Sequence, residues 1–285
     1  MLRKEALFAD FALLGVNAVW GATFVTMKNL LNEVHPLSIL FWRFLIAFLV
    51  LWNLSRFRGW EKKTLKEGVI LGCALFGGYL FQTLGLAYVT PARSAFLTGL
   101  STIIIPFFAL LILRTKIGRL LPLSIATALG GLALLSLNGG KGGSAVLWGD
   151  MLTVFGATAY ALQIVLVEKF AHQNATLSLV TVEMGTVTAL SLFFGLPFTL
   201  KIPQEPRIWG SLFFLGFFAT ALSFTVQKIA QRYTSSVHVG IIFISEPVFA
   251  ALFSYFLWQE RLTPQNILGC GLVLLGILIA QLGHS

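Results

Sequence analysis

The sequence predicts an all-α membrane protein, with ten transmembrane helices arranged as two inverted five-helix repeats around a central cavity. Composition, the length of the apolar spans and an internal duplication lead to this prediction. Of 285 residues, 57% are hydrophobic and 11% are charged, and the mean hydropathy is +0.86. Because soluble domains have about 25% charged residues, this chain has too few charges to cover a water-facing surface.

Ten apolar spans follow one another. Each is long enough for a helix to cross a bilayer, which takes about 20 residues. They are residues 8–30, 36–56, 67–88, 92–114, 119–138, 146–169, 176–200, 207–230, 235–258 and 264–283. The first span follows a basic N-terminus, as a signal peptide would. It contains Asp10, continues to about Leu31 and has no clear cleavage site, so we interpret it as a retained helix.

One stretch of the chain occurs twice. The stretch from Ile244 to Ala280 has a weaker copy that begins at Ile105, and Pro106 matches Pro247. Further matched positions keep an offset near 140 residues. The match predicts that the chain contains two copies of one membrane unit.

The duplication predicts the domain boundaries and the inversion. The first repeat covers residues 1–138, a glycine-rich linker covers 139–145, and the second repeat covers 146–285. Because five is an odd number of crossings, the second copy enters the membrane from the opposite face. Inverted repeats of this kind are typical of secondary transporters.

The basic residues indicate the orientation. If the N-terminus is inside, thirteen Lys and Arg residues, Lys228 among them, fall in inner segments and six in outer segments. Positive residues accumulate on the cytoplasmic side, so we expect both termini in the cytoplasm of a bacterial inner membrane. Since the net charge of +9 lies in short loops, it does not indicate a nucleic-acid partner.

A carboxylate inside the ninth span is the first candidate site residue. Glu246 lies between Ser245 and Pro247 in an apolar run, where a charge is costly and suggests function. The proline is expected to kink the helix. Glu246 could bind a cationic group of a substrate or take up a proton; alternatively, it lies near the interface or is a structural hydrogen-bond partner.

His238 lies eight residues before Glu246, two helical turns away, so both side chains could face one side. Histidine titrates near neutral pH and could couple transport to protons. The alternative is a solvated histidine at the membrane edge.

Aromatic and amide side chains recur three residues apart on three spans. The pairs are Asn17 with Trp20, Tyr79 with Gln82, and Tyr160 with Gln163. Gln227 and Gln82 each precede a tyrosine by six residues, which suggests equivalent positions that face a shared interior. These groups suit a small amphipathic ligand. The alternatives are interface anchoring and helix–helix hydrogen bonds.

Opposite charges occupy corresponding places in the second and seventh spans. Arg43 is seven residues after Pro36, and Glu183 is seven residues after Thr176. They could pair across the bundle or bind backbone groups. We interpret both as structural or gating residues, together with Pro106 and Pro247.

In combination, these features resemble the drug/metabolite transporter superfamily, and its EamA-type ten-helix exporters most of all. The motifs are Trp20-Gly21, His35-Pro36 with Arg43, and Ser245-Glu246-Pro247 followed by Glu260. The resemblance implies a basket-like bundle with a central substrate cavity and alternating access. Family members export amino acids, other metabolites or drugs.

The first half departs from this pattern. Ile105 stands where the second half has Glu246, and Gly118 stands near the position of Glu260. A step that needs a carboxylate is therefore expected in the second half.

We therefore predict a secondary active or facilitative transporter that exports amino acids or similar small metabolites by alternating access. Alternatives are a multidrug or nucleotide-sugar-type carrier, a channel or receptor, and a membrane-embedded enzyme. The four histidines are scattered and there is no H-E-x-x-H motif or phosphate loop, so we expect no enzyme, metal or cofactor. The expected partners are a small-molecule substrate and the lipid bilayer, and the chain could be a monomer or a homodimer.

Overall fold

A computed structural model shows the protein to be all-helical over the residues that it describes. These are residues 2–55, 61–115, 119–120, 122–124, 126–127, 130–131, 134, 143–171, 175–196, 198–200, 202–233, 235–243, 245–260 and 263–282. Within these ranges, side chains are described from Phe8 onward, except at 171, 200, 237, 238, 241, 266, 277 and 280–282. The predicted all-α class is confirmed.

The first half contributes five helices whose bounds are described. They are α1 (Leu2–Leu30), α2 (Pro36–Ser55), α3 (Lys62–Leu86), α4 (Pro91–Gly99) and α5 (Ser101–Leu113). The fourth predicted span is thus two helices in succession. Its start follows from local chemistry, because the Thr90 hydroxyl caps the Arg93 amide and Pro91 occupies the first turn.

The second half contributes seven more helices. They are α6 (Gly143–Ala171), α7 (Thr176–Gly195), α8 (Pro206–Phe213), α9 (Ser223–Ala230), α10 (Ser236–Phe243), α11 (Ser245–Leu257) and α12 (Pro264–Leu282). A π-helical segment, Phe214–Leu222, joins α8 to α9. Helix α6 begins inside the predicted linker, at Gly143.

The chain is an integral, multi-pass membrane protein. Within the described residues, seven helical stretches are long and apolar enough to cross a bilayer. They are Phe8–Leu30, Pro36–Ser55, Lys62–Leu86, Pro91–Leu113, Gly143–Phe170, Thr176–Gly195 and Pro206–Ala230. Shorter apolar helices are Ser245–Leu257 and Ile267–Gly276. The predicted fifth span falls largely on residues outside the described set, so the count of ten spans stays a prediction.

The two halves pack into each other rather than side by side. Helix α2 packs against α7, α3 against α6 and α7, and α1 against α11. One apolar core contains residues of both halves, such as Phe44, Leu75, Val165 and Leu215. Large apolar side chains such as Phe193 remain exposed on the outside, where lipid solvates them.

Backbone landmarks of the two halves keep fixed separations. Helices α2 and α7 both have 20 residues and begin 140 positions apart. Helices α4 and α10 begin 145 positions apart. Arg114 and Gln259, the described non-glycine residues with positive φ, are also 145 apart.

These landmarks change the alignment of the two halves in which Pro106 matched Pro247. In the register of 145, Pro106 lies opposite Ala251, and Pro247 lies opposite Thr102. The sequence match was four residues, about one helical turn, out of register. A shift of one turn keeps the same face of a helix, so an apolar pattern does not reveal it.

Helices α3 and α6 cross where glycine allows their backbones to touch. A Cβ atom on Gly156 would lie 2.9 Å from the Gln82 amide nitrogen and 2.9 Å from the Gly78 carbonyl oxygen. Both neighbours are backbone atoms, which cannot rotate away. The crossing therefore depends on glycine at this position.

We expect Gly156→Val to destabilise the bundle by about 1–3 kcal/mol, because the helices must move apart. The apparent unfolding temperature in detergent, followed by size-exclusion chromatography, measures this. Gly15→Val is the matched control, since a Cβ atom there meets nothing within 4 Å. Equal losses in the two variants would contradict the role of the crossing.

Candidate functional site

A cavity lies at the centre of the bundle, where helices of both halves meet. It has about 500 Å³ of empty space, a volume that includes its opening to the surroundings. Its lining residues come from α1, α3, α4, α5, α6, α9, α10 and α11. They are Trp20, Thr23, Phe24, Tyr79, Gln82, Thr98, Ser101, Tyr160, Gln163, Ile164, Phe224, Gln227, Phe243 and Glu246.

These fourteen residues form seven pairs at the two separations that relate the backbone landmarks. Three pairs are 140 positions apart: Trp20 with Tyr160, Thr23 with Gln163, and Phe24 with Ile164. Four pairs are 145 positions apart: Tyr79 with Phe224, Gln82 with Gln227, Thr98 with Phe243, and Ser101 with Glu246. Matching positions of the two halves therefore face the same space. Ser101, not the buried Ile105, stands opposite Glu246.

The first-half glutamine is hydrogen-bonded through both its amide oxygen and its amide nitrogen. The Tyr160 hydroxyl donates to Gln82 Oε1 at 2.9 Å, and Gln82 Nε2 donates to Thr98 Oγ1 at 3.0 Å. The Tyr160 ring meets the Tyr79 ring edge to face, with centroids 5.3 Å apart. This chain of contacts fixes one wall of the cavity.

The second-half glutamine has a different environment. The positions that match Tyr160 and Thr98 are Trp20 and Phe243, which have no hydroxyl group. Gln227 is 1% exposed, and its Oε1 atom has no hydrogen-bond partner. The second-half amide is therefore less fully hydrogen-bonded than its first-half counterpart, although both residues line the cavity.

Trp20 bonds to the backbone rather than to this amide. Its Nε1 atom donates to the Ala219 carbonyl in the π-helical segment at 2.8 Å. Its ring lies against Phe224 and Phe243, with centroids 5.3 and 5.4 Å away. Segments of π-helix leave backbone groups available and are frequent at functional sites.

Glu246 is the one charged side chain among the lining residues. It is the second described residue of α11. None of the ion pairs found among the described residues includes it. An unpaired carboxylate inside an apolar bundle is costly and calls for a cationic partner or a proton.

Arg43 lies behind the cavity wall. It is 1% exposed, and its Nε donates to Thr220 Oγ1 at 2.7 Å while its Nη2 donates to the Tyr79 hydroxyl at 2.9 Å. The guanidinium carbon is 4.4 Å from the Tyr79 ring centroid. Arg43 thus holds Tyr79 in place and does not itself line the cavity.

The predicted pair of Arg43 with Glu183 was wrong. Glu183 forms an ion pair with Lys228 instead, and both side chains are 0% exposed. Gln163 Nε2 donates to Glu183 Oε1 at 2.9 Å. Lys228 is therefore a buried partner and not a loop residue that sets orientation. Its place on the buried face of α9 required the tertiary structure.

Two predicted site residues brace the junction of α10 and α11. Asn17 Nδ2 donates to the Ile242 carbonyl at 2.7 Å and to Ser245 Oγ at 2.8 Å. Neither Asn17 nor Ser245 is among the lining residues, so they position α11 and with it Glu246. The His238 side chain and Gly118 lie outside the described residues.

The two prolines are buried in different settings. Pro106 lies inside α5, whereas Pro247 lies in the first turn of α11. Residue 244, which separates α10 from α11, lies outside the described residues, so the expected kink at Pro247 stays a prediction.

Seven of the ten predicted substrate-binding residues line the cavity. They are Trp20, Tyr79, Gln82, Tyr160, Gln163, Gln227 and Glu246. Sequence reasoning missed Thr23, Phe24, Thr98, Ser101, Ile164, Phe224 and Phe243. The separation of 145 between Gln82 and Gln227 was a usable signal, because it also relates Ser101 to Glu246.

Carboxylates form contacts between segments of the bundle near both ends of α6. Near its start, Asp150 pairs with Arg93 at 2.6 Å, and Glu260 accepts from the Ala92 amide at 3.3 Å. Near its end, Glu168 accepts from the Ser236 amide at 2.7 Å. Asp150 and Glu168 are about 27 Å apart along an α-helix of 1.5 Å rise, so these contacts lie on opposite sides of the cavity.

A bundle of apolar helices around a polar, aromatic-walled cavity defines the class of multi-pass membrane transport proteins. The sequence profile of the EamA-like transporter family matches residues 7–137 and again 147–281. The chain belongs to this family, which is the EamA type of the drug/metabolite transporter superfamily. It is a transporter and not an enzyme.

Relatives match along almost the whole chain. An uncharacterized transporter of Archaeoglobus fulgidus is 30% identical over 98% of this chain and 87% of its own length. The uncharacterized transporter YyaM of Bacillus subtilis is 28% identical, over 94% and 92%. The uncharacterized inner membrane transporter YedA of Escherichia coli K12 is 23% identical, over 95% and 90%.

One solved crystal structure has the same fold. It superposes with a TM-score of 0.69 at 18% sequence identity, and the match covers 98% of this chain and 97% of the other.

The Glu183–Lys228 pair yields a double-mutant test. We expect Glu183→Gln and Lys228→Met each to lower stability by about 3–5 kcal/mol, because each leaves a buried charge without a partner. Joining Glu183→Gln with Lys228→Met is expected to recover most of the loss. Thermal unfolding in detergent measures this.

The exposed pair of Arg207 with Glu33 is the matched control, with an expected effect below about 1 kcal/mol. Strictly additive losses in the buried double variant would contradict the coupling.

Proposed function

We propose that this transporter is a secondary active or facilitative carrier that exports amino acids or similar small metabolites by alternating access. The observation that carries the proposal is the central cavity, lined from matching positions of both halves. A site shared equally by two repeats is the arrangement of inverted-repeat carriers.

We propose ten helices in two inverted repeats, bounded as the sequence predicts. The seven pairs of lining residues, the paired backbone landmarks and the double match to the family profile support this. Packing supports it too, because corresponding helices of the two halves make corresponding contacts. Helix α3 lies against α6, as α9 lies against α1. Helices α4 and α5 lie against α6, as α11 lies against α1.

Alternating access follows from such a pseudo-two-fold. If the two halves exchange conformations, the cavity opens to the opposite side of the membrane. The contacts Arg93–Asp150 and Glu168–Ser236 would then break in turn, one at each end. Both contacts are formed in this structure.

Each site residue has a proposed role. Glu246 and Gln227 contact the substrate, and Trp20, Tyr79 and Tyr160 form the aromatic walls. Arg43 and the Glu183–Lys228 pair hold those walls in place.

We propose an inner-membrane location with both termini in the cytoplasm. With Lys228 buried, the bias in basic residues becomes twelve to six and keeps its direction. The name of the relative YedA as an inner membrane transporter supports the location.

Counterflow in proteoliposomes tests the carrier. We expect accelerated exchange of one class of radiolabelled metabolites by the wild type, and strongly reduced exchange by Glu246→Gln. Glu61→Gln is the control, because Glu61 is exposed and makes no side-chain cap. Flux that neither saturates nor accelerates with internal substrate would indicate a channel and contradict the proposal.

Moving the carboxylate tests the register of the repeats. We expect Glu246→Ser to lose exchange and the double variant Ser101→Glu/Glu246→Ser to regain part of it, because the two positions match across the cavity. Ile105→Glu/Glu246→Ser is the control and is not expected to recover, since Ile105 is 0% exposed and does not line the cavity. Equal recovery in both doubles would contradict the register of 145.

A further inference from the structure

We propose that the central cavity binds organic cations, in particular primary amines on an aromatic body, in preference to zwitterionic amino acids. The inference rests on the carrier function proposed above, and it selects amines rather than amino acids from the range of small metabolites. Three properties of the cavity support it: its charge, its hydrogen-bonding groups and its walls.

Glu246 is the one carboxylic acid among the lining residues, and no Lys, Arg or His is among them. Glu246 has no ion-pair partner among the described residues. The neighbouring cations are already engaged, since Arg43 is covered by Tyr79 and Lys228 is paired with Glu183. An ammonium group can pair with Glu246, whereas a carboxylate finds no cation.

The ionised carboxylate of Glu246 accepts hydrogen bonds and donates none. An ammonium group offers three N–H donors and can satisfy it.

The donors of the cavity are neutral. The amides of Gln82 and Gln163, the Tyr160 hydroxyl and the Trp20 indole each donate to a protein acceptor. What remains for a carboxylate is the second N–H of each amide, the Gln227 amide and hydroxyl groups, none of which carries a charge. The carboxylate of a bound amino acid would thus be buried without a charge partner, which is costly.

Aromatic rings line the same cavity as Glu246. Trp20, Tyr79, Tyr160, Phe224 and Phe243 line the same space. Ring faces attract cations and pack against flat apolar groups. The walls therefore favour a ligand with a positive head and a ring, and they add nothing for an anion.

Three probes with one shared skeleton separate these possibilities. They are 2-phenylethylamine, phenylalanine, which adds a carboxylate, and N-acetyl-2-phenylethylamine, which removes the charge. Binding to the purified full-length protein is measured by calorimetry, and counterflow is measured in proteoliposomes. Protein-free liposomes give the background, because the neutral form of an amine crosses lipid.

We expect 2-phenylethylamine to bind at least about tenfold more tightly than either analogue. Glu246→Gln is expected to weaken binding of the amine by about 10- to 100-fold, which is the effect of losing a charge-assisted hydrogen bond. It should leave the acetylated probe unchanged. Gln227→Leu is expected to weaken binding of the amine to a smaller extent, and Glu61→Gln is expected to leave it unchanged.

The binding measurements test the substrate class, and the flux measurements test the carrier function. Phenylalanine that binds as tightly as the amine, and loses affinity in Arg43→Gln, would overturn the inference in favour of a zwitterion site. Absence of amine binding that depends on Glu246 would also overturn it, even if another class of metabolite is exchanged. Tight amine binding without counterflow would keep the substrate class and reject the carrier function.

Discussion

The structure depends on how an apolar bundle accommodates internal charges. Lipid cannot solvate a charged side chain, so each charge inside has to meet a partner in the protein. Glu183 and Lys228 meet each other, and Arg43 is held by Thr220 and Tyr79. These contacts tie α2 to α3 and to the π-helical segment, and α7 to α9. Glu246 is the exception that faces the cavity.

The pairing of positions explains both the framework and its asymmetry. Two copies of one unit supply matching backbone landmarks and matching lining positions. The side chains at those positions differ, however. Gln82 is satisfied by hydroxyl groups that its counterpart Gln227 lacks, and Ser101 is neutral where Glu246 is charged. The framework is therefore shared, while the chemistry of the cavity belongs to the second half.

Contacts between the halves hold this chemistry in place. Trp20 bonds to the π-helical segment, and Asn17 spans the junction before Glu246. Helix α1 also lies against α11 so closely that a Cβ atom on Gly21 would be 2.7 Å from Phe249 Cβ. A movement of one half against the other therefore acts directly on the position of the carboxylate.

The sequence alone determined the membrane class, the helical content and most of the aromatic and amide residues of the cavity. Long apolar spans admit one solution in lipid, and a polar residue in such a span is rare enough to stand out. The duplication and the family resemblance were also evident from the sequence. The register between α4–α5 and α10–α11 was not, because a shift of one turn leaves the apolar face unchanged.

Only the tertiary structure decided which charges are paired. Lys228 lies near the end of a span, where the sequence equally suits a loop cation, and its burial against Glu183 depends on how α7 and α9 pack. The same packing sets Arg43 behind Tyr79 and leaves Glu246 in the open space. Partners separated by tens of residues or more are chosen by the fold, and local sequence carries no record of that choice.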